Sequence, residues 1–461
     1  MVRLFRHYIP RSLFILCLVE ALVFVFSVTI GFSVRFGSAQ SEVNQFNFAQ
    51  ALLFAGVMLS AMTAMGLYQR EIHGGVRGTM LRIVIGFVAA LAMMSVLFYL
   101  FPDLFLGRGV IAVAVSSAFL GVVVSRLIFF LYADKDILNR RVLVVGAGKR
   151  AAAIGELAKK RHLKGVRVVG FWSVDDESRA AEQKHLFSVD RALVHAVKEN
   201  QIDEIVVAID DRRKTFPTEA LLACKMSGVE VIDSVTFLER QTGKIDVEGL
   251  HPSSLIFADG YVHTVLKPGS KRVFDLLAAS AILLLTWPIM VVTALVIWLE
   301  SGCRGTIFYK QVRVGAGGKL FEILKFRSMV ENAEKNGAQW AAKNDPRVTK
   351  VGNFIRKTRI DELPQLMNVL KGDMSFVGPR PERPKFVDEL SASIPYYNLR
   401  HGLKPGITGW AQVCYAYGAS EEDAVQKLQY DLYYMKNYSI FLDLMVLFQT
   451  ADVVLWQKGS R

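Results

Sequence analysis

The stretch Thr358-Arg359-Ile360-Asp361-Glu362-Leu363-Pro364-Gln365-Leu366, followed by Gly378-Pro379-Arg380-Pro381-Glu382-Arg383-Pro384, decides how this chain reads. Two adjacent carboxylates stand between clusters of arginine and lysine. The spacing predicts a helix start, with Asp361 as N-cap and Pro364 in the first turn, where its missing N–H costs nothing. Free backbone N–H groups and the positive end of such a helix make a seat for phosphate. An acid placed there is expected to stay ionised, able to attack phosphorus or to hold a divalent cation.

The surroundings strengthen that reading. Upstream come Arg347, Lys350, Arg356, Lys357 and Arg359, with Lys325 and Arg327 further back; downstream come Arg380, Arg383 and Lys385. Guanidinium forks match phosphate oxygens. Prolines 379, 381 and 384 stiffen the loop that presents Arg380 and Arg383, which lowers the entropy of presenting them. An Asp-Glu pair alone is common and marks only a solvated helix start. Set among so many cations, it points to phosphoryl chemistry, which needs charge neutralisation and alignment more than covalent work from the protein.

Outward from this stretch the chain divides by composition. It has 461 residues, 52% apolar content and a formal net charge of +13. No nucleic-acid-binding motif is present, and the apolar runs favour lipid and phosphorylated substrates over nucleic acid as partners of the basic surface. Cysteines 17, 224, 303 and 414 are scattered with no C-x-x-C pair, so neither a zinc site nor a disulfide framework is indicated. Four apolar runs near 12–34, 46–68, 83–101 and 109–132 are each about long enough to cross a bilayer. The first reads as a retained anchor rather than a cleaved leader. Arg70, Arg77 and Arg82 follow the second run and Lys135, Arg140 and Arg141 the fourth, so the positive-inside rule puts both ends of the bundle in the cytoplasm. No buried acid or histidine relay is read within it, so it is expected to be an anchor or assembly module rather than a transport path.

Between 140 and 240 the pattern alternates. Val142–Val145, Val166–Trp172, Ile205–Ile209 and Val229–Ile232 read as strands with helices between them, a parallel α/β sheet. Gly146-Ala147-Gly148-Lys149-Arg150-Ala151 matches a G-x-G-x-x-A dinucleotide fingerprint, with Asp175 and Asp176 roughly where a ribose-binding acid stands. Gly146 and Gly148 are therefore candidate nucleotide-binding residues, although such turns also occur in sheets that bind nothing. After a linker with several turn signals, Lys271–Leu299 is long and apolar enough to span. A fifth crossing would carry Asp361 outside, away from nucleotide substrates, and Pro288 lies mid-segment. A re-entrant helix over about 271–300, broken at Pro288 and with both ends cytoplasmic, is expected. Ile440–Trp456 reads as an amphipathic helix, lying either at the headgroup boundary or on its own domain.

The motifs Lys325-Phe326-Arg327-Ser328-Met329, Asn344-Asp345-Pro346-Arg347-Val348-Thr349, Asp361-Glu362-Leu363-Pro364-Gln365, Asn368-Val369-Leu370-Lys371-Gly372-Asp373-Met374-Ser375, Gly378-Pro379-Arg380-Pro381 and Lys404-Pro405-Gly406-Ile407-Thr408-Gly409-Trp410 together resemble bacterial polyprenyl-phosphate sugar-1-phosphate transferases. The resemblance covers about 267–461, and the preceding parts look like the long-form members of that family. It implies an α/β membrane protein: a four-helix transmembrane bundle (1–135), a Rossmann-like domain (136–265) and a mixed α/β catalytic domain with a re-entrant helix (266–461). By that likeness Asp361 attacks the sugar-bearing phosphorus of a UDP-sugar, UMP leaves, and a polyprenyl phosphate takes the sugar phosphate, starting exopolysaccharide or O-antigen assembly. Glu362 would hold Mg²⁺. Arg380 would grip phosphate, with Arg327, Arg383 and Lys325 as further candidates. Pro405, Gly406, Thr408 and Gly409 would line the nucleotide pocket. The implied location is the bacterial inner membrane, multi-pass, with the catalytic domain facing the cytoplasm; a homodimer through the α/β module is compatible with it.

Two other readings use the same sequence. Membrane nucleotide-sugar dehydratases also join a helical bundle to an α/β module, but they need a Tyr-x-x-x-Lys pair within that module, and none is present there. A non-catalytic scaffold or nucleotide sensor would leave Asp361 dispensable.

Overall fold

The computed structural model describes residues 2–4, 7–37, 48–68, 75–133, 139–159, 163, 165–173, 186–187, 193–210, 216–247, 266–303, 305–330, 333, 345–415, 418 and 420–455. The chain forms two compact units, one of Met1–Thr63 with Leu67–Asp246, the other of Val247–Arg461 with Ala64–Gly66. Asp175, Asp176 and the linker over 251–265 lie outside the described residues.

The first unit opens with a short antiparallel pair, β1 (Val2–Leu4) and β2 (His7–Ile9). Four helices follow: α1 (Arg11–Phe36), α2 (Phe48–Ala64), α3 (Gly75–Leu100) and α4 (Arg108–Ala133). Their apolar residues run all round the helix, as lipid rather than a protein core would require. Leu18, Leu22, Phe26 and Leu120 stay exposed. α1, Gly78–Leu100 of α3 and Arg108–Leu131 of α4 are long and apolar enough to cross a membrane, whereas α2 has 17 residues, at the short limit for a span.

One feature of the bundle went unread in the sequence, although a single paired acid is not a transport relay. Glu20, wholly buried on α1, accepts from Arg126 Nε at 2.6 Å and Arg126 Nη2 at 3.0 Å, and from the Tyr68 hydroxyl. Arg126 also donates to the Leu67 carbonyl at 2.8 Å and lies over the Tyr68 ring. The bundle therefore does hold a buried acid. Single charges inside apolar runs gave no sign that they meet. Each charge satisfies the other, which is the condition for keeping either at membrane depth.

The rest of this unit is a five-stranded parallel sheet of β3 (Arg140–Val145), β4 (Val166–Trp172), β5 (Leu186–Phe187), β6 (Glu204–Val207) and β7 (Glu230–Asp233), ordered β5-β4-β3-β6-β7. Its helices are α5 (Lys149–Lys159), α6 (Leu193–Glu199), α7 (Thr218–Met226) and α8 (Ser234–Thr242). Leu143 and Val145 pack into one core with Ile205 and Val207; Val142 and Val144 pack into another with Ile154 and Phe237. Apolar cores on both faces are what a covered parallel sheet demands. β5 is two residues long, too short to leave a periodic signal in the sequence.

The second unit begins with α9 (Leu266–Glu300), a 35-residue helix whose segment Gly269–Glu300 is the fourth helix long and apolar enough to cross a membrane. The sequence predicts a break at Pro288. α9 stays helical through Pro288, so no break in secondary structure occurs there, because a helix can lose one N–H donor while its neighbours keep theirs; a bend at that residue is compatible with this. β8 (Phe308–Val314) and β9 (Leu320–Phe326) form an antiparallel hairpin. Then come α10 (Lys350–Lys357), a 3-10 turn (Ile360–Gln365), α11 (Leu366–Lys371) and β10 (Ser375–Val377). α12 (Pro384–Ser393), β11 (Gly406–Thr408), α13 (Trp410–Cys414), α14 (Glu421–Lys436) and α15 (Ile440–Leu455) complete it, with β10 and β11 paired in parallel. On α15, Leu442 and Val446 are buried and Leu444 is exposed.

Candidate active site

Asp361 is not an N-cap. It lies inside the 3-10 turn, whose preceding residue Arg359 is held at φ 59°, a left-handed conformation that a non-glycine side chain adopts at a cost. Thr349 caps α10 by accepting from Gly352 N at 2.9 Å, and α10 ends at Thr358, delivering the chain to Arg359. Gly352 is required where it stands, since a Cβ there would lie 1.9 Å from the Ser328 carbonyl. On the other side Asn368 stitches α11 to β9: its amide donates to Glu322 O at 2.7 Å and its Oδ1 accepts from Leu324 N at 3.0 Å. The turn is thus pinned against β9, which carries Lys325.

Both carboxylates are buried, Asp361 at 8% and Glu362 at 9% exposure. Glu362 Oε1 accepts from Arg380 Nη2 at 2.8 Å and Lys325 Nζ at 3.2 Å, with Arg359 Nη1 at 3.7 Å. Burial opposes its charge, but these three cations outweigh burial and hold Glu362 well below the usual carboxylate range. Asp361 goes the other way. Burial, then the negative charge of Glu362, push it up to about 6, against the pull of Lys325, Arg359 and Arg380. Two neighbouring carboxyls driven apart in acidity are equipped for different tasks. One is a fixed anion that organises cations; the other is a carboxylate whose charge is poorly solvated and therefore reactive. With its carboxyl pushed up to about 6, Asp361 is still mostly ionised at pH 7, but holds its charge less readily than an ordinary carboxylate. Burial also pulls the Lys325 ammonium down, partly offset by Glu362.

The loop bearing Arg380 is anchored through its carbonyls. Arg400 donates to Arg380 O at 3.1 Å, Arg313 to Pro381 O at 2.9 Å and Val314 N to Glu382 O at 3.0 Å. Proline removes donors from this loop, so its carbonyls take the load. Arg400, 5% exposed, also pairs with buried Asp431 at 2.8 Å and donates to the Tyr397 hydroxyl at 2.7 Å. Below the turn, Arg272 of α9 donates to Val369 O at 2.5 Å and Leu370 O at 2.7 Å, closing the C-terminus of α11. Asp275 accepts from Phe376 N at 3.0 Å and pairs with Lys271 at 2.9 Å; Lys271 also meets Asp443 at 3.0 Å.

Asp361, Glu362, Lys325 and Arg380 therefore converge. The other named residues stand elsewhere. Arg327 donates to Ser301 just beyond α9, and Arg383 occupies the N-cap position of α12. Pro405, Gly406, Thr408 and Gly409 are buried in the β10–β11 pairing: Gly406 N donates to Pro379 O at 2.9 Å, and a Cβ on Gly409 would lie 2.2 Å from Gly378 O. They back the 378–384 loop. Gly146 and Gly148 belong to the other unit. Arg313, Arg400, Asp431 and Arg272 escaped the sequence reading because their partners are distant in the chain; Asn368 stood in a quoted motif, and only the fold gives it work.

A divalent cation finds hard oxygen donors here but no preformed cage. Among the described residues no group of three or more His, Cys, Asp and Glu converges. The described ion pairs of the Glu362 carboxylate all fall on Oε1. The residues fit an ion that arrives with phosphate oxygens and takes one carboxylate from the protein, the usual mode for Mg²⁺.

Residues 266–457 match the bacterial sugar transferase family, and residues 63–231 match a family described as a CoA-binding domain. A UDP-N-acetylgalactosamine-undecaprenyl-phosphate N-acetylgalactosaminephosphotransferase of Aeromonas hydrophila is 42% identical over 260 residues, 56% of this chain and 60% of that relative's length. A UDP-glucose:undecaprenyl-phosphate glucose-1-phosphate transferase of Xanthomonas campestris pv. campestris is 31% identical over 339 residues, 70% of this chain and 68% of the relative. A UDP-galactose-lipid carrier transferase of Erwinia amylovora is 31% identical over 360 residues, 71% of this chain and 72% of the relative. The chain belongs to the bacterial polyprenyl-phosphate sugar-1-phosphate transferase family and is, by class, a phosphoglycosyl transferase.

Proposed function

We propose that this enzyme moves a sugar-1-phosphate from a UDP-sugar to undecaprenyl phosphate in two displacements at Asp361. A carboxylate oxygen of Asp361 attacks the sugar-bearing phosphorus; the phosphoanhydride bond breaks and UMP leaves with its electrons. The resulting aspartyl phospho-sugar is then attacked by a phosphate oxygen of the lipid. Asp361 departs as carboxylate, and the product is a polyprenyl diphospho-sugar that starts exopolysaccharide or O-antigen assembly. The observation that carries this reading is the opposed tuning of the pair: Glu362 clamped by Lys325 and Arg380, Asp361 buried beside it and raised to about 6.

Lys325 and Arg380 would neutralise the diphosphate of the donor, and Arg380 is preset for this by the anchored carbonyls of its loop. Arg327 and Arg383 would act at greater range, and Pro405–Gly409 would support the nucleotide side by backing that loop. Mg²⁺, held by Glu362 and the donor's phosphates, would supply further charge neutralisation.

Contacts at both ends of α9 support a re-entrant path. Near its start Asp275 bonds Phe376 N, and at its end Glu300 accepts from Val351 N at 3.1 Å while Ile297 packs with Phe326 and Ile355. A helix crossing a hydrocarbon core of about 30 Å would put these ends on opposite sides; here both meet one compact catalytic unit. Exposed Leu284, Leu285 and Trp287 between them suit lipid. The catalytic unit would then sit at the cytoplasmic face of the inner membrane, with the acceptor phosphate at headgroup level.

Initial-rate kinetics test the two-step reading. Varying UDP-sugar at several fixed concentrations of undecaprenyl phosphate is expected to give parallel double-reciprocal lines. Intersecting lines would instead indicate direct transfer within a ternary complex.

A further inference from the structure

The α/β module carries a G-x-G-x-x-A turn and matches a family described as CoA-binding, so a ligand phosphate is implied at its first strand-to-helix turn. In sheets of this order, ligands lie at the switch point, here between β3 and β6. The donors a phosphate would use are the first amides of α5. They are taken by the protein itself. Asp210, just after β6, accepts from Lys149 N at 2.7 Å through Oδ2 and from Arg150 N at 3.1 Å through Oδ1.

Both glycines of the turn are explained by the segment that follows β6. A Cβ on Gly148 would lie 2.1 Å from Asp210 Oδ2, and one on Gly146, at φ 132°, would lie 2.4 Å from the Ala208 carbonyl. The spacing is therefore what the close approach of the end of β6 requires, with no room consumed by a ligand. A phosphate entering this turn would meet a carboxylate already bonded to the amides it needs, and like charges repel.

We infer that Asp210 is a resident anion standing where a cofactor phosphate would sit, and that this turn takes neither CoA nor a dinucleotide in this chain. The module keeps the sheet and the glycines of a nucleotide-binding fold while closing its phosphate seat with its own side chain. Hydrogen exchange at the Lys149 and Arg150 amides of the full-length protein in nanodiscs reads the seat directly. Exchange at both amides in the native protein is expected to be unchanged by 1 mM CoA or NAD. In Asp210→Ala it is expected to run about fivefold faster, the loss typical of a removed helix cap. Saturable slowing of these amides in the native protein by CoA or NAD would overturn the inference. That arm stands whether or not Asp210→Ala folds. An Asp210→Ala protein that folds with exchange unchanged would also overturn it.

Discussion

At the scale of single residues, the site turns on one carboxyl made reluctant to ionise beside another made eager. In the proposed mechanism Asp361 must be charged to attack phosphorus, so kcat/KM is expected to be flat above pH 7 and to fall about tenfold per unit below about 6. Glu362 is the second cause of that elevation, so in Glu362→Gln the acidic limb should move to lower pH even as the rate drops. Asp431 is also raised to about 6 by burial, against Arg400, but it does not touch the reacting groups. Asp431→Asn should therefore leave the limb in place. A limb that moves with Asp431 rather than Glu362 would assign the titration to the wrong carboxyl. The pair itself was legible in the sequence because two acids amid cations, glycines and prolines are an improbable surface. Its inequality was not, since burial and the distances to Lys325 and Arg380 decide it.

At the scale of elements, the candidate catalytic turn is a short 3-10 segment that leads into α11, which Asn368 ties to β9 and Arg272 ties to α9, while Glu362 of the turn itself pairs with Arg380 of the anchored loop. Arg400 is the central strut of that loop. Arg400→Met leaves Asp431 buried without its partner and frees the Arg380 carbonyl. A loss of about 3 kcal/mol is expected, the lower end for breaking a buried pair, measured by denaturant unfolding of the catalytic unit within the whole enzyme. KM for the donor should rise as Arg380 loses its preset position. Adding Asp431→Leu should restore much of the stability without restoring KM, which separates positioning from folding. Sequence periodicity recovered the long parallel-sheet strands and the apolar helices. It expected the helix to break at Pro288, where the backbone instead stays helical, because one missing donor does not end a helix that neighbouring turns support. It also misplaced Asp361 by two positions, because the αL residue Arg359 holds the N-cap position that the capping pattern gave to Asp361.

At the scale of the whole molecule, α9 decides topology. A 35-residue helix is about 50 Å long, enough to cross a bilayer, yet its two ends bond to one unit. Ser270→Cys and the native Cys303, each alone in a chain stripped of its other cysteines, should both resist a membrane-impermeant maleimide in intact cells and both react after lysis. Labelling of only one from outside would make α9 a spanning helix. The Glu20–Arg126 pair belongs to this scale as well: the sequence reading saw no buried acid in the bundle, because only the fold brings the two charges, 106 residues apart, together.

The most direct test of the chemistry is the covalent state itself. Purified enzyme mixed with Mg²⁺ and a UDP-sugar labelled in the sugar-proximal phosphate, without lipid, should retain label on the protein, at Asp361 by peptide mapping. The label should leave on addition of undecaprenyl phosphate and never form in Asp361→Asn. An Asp361→Asn enzyme that keeps full turnover, or label that maps to another residue, would contradict a phospho-sugar carried on Asp361.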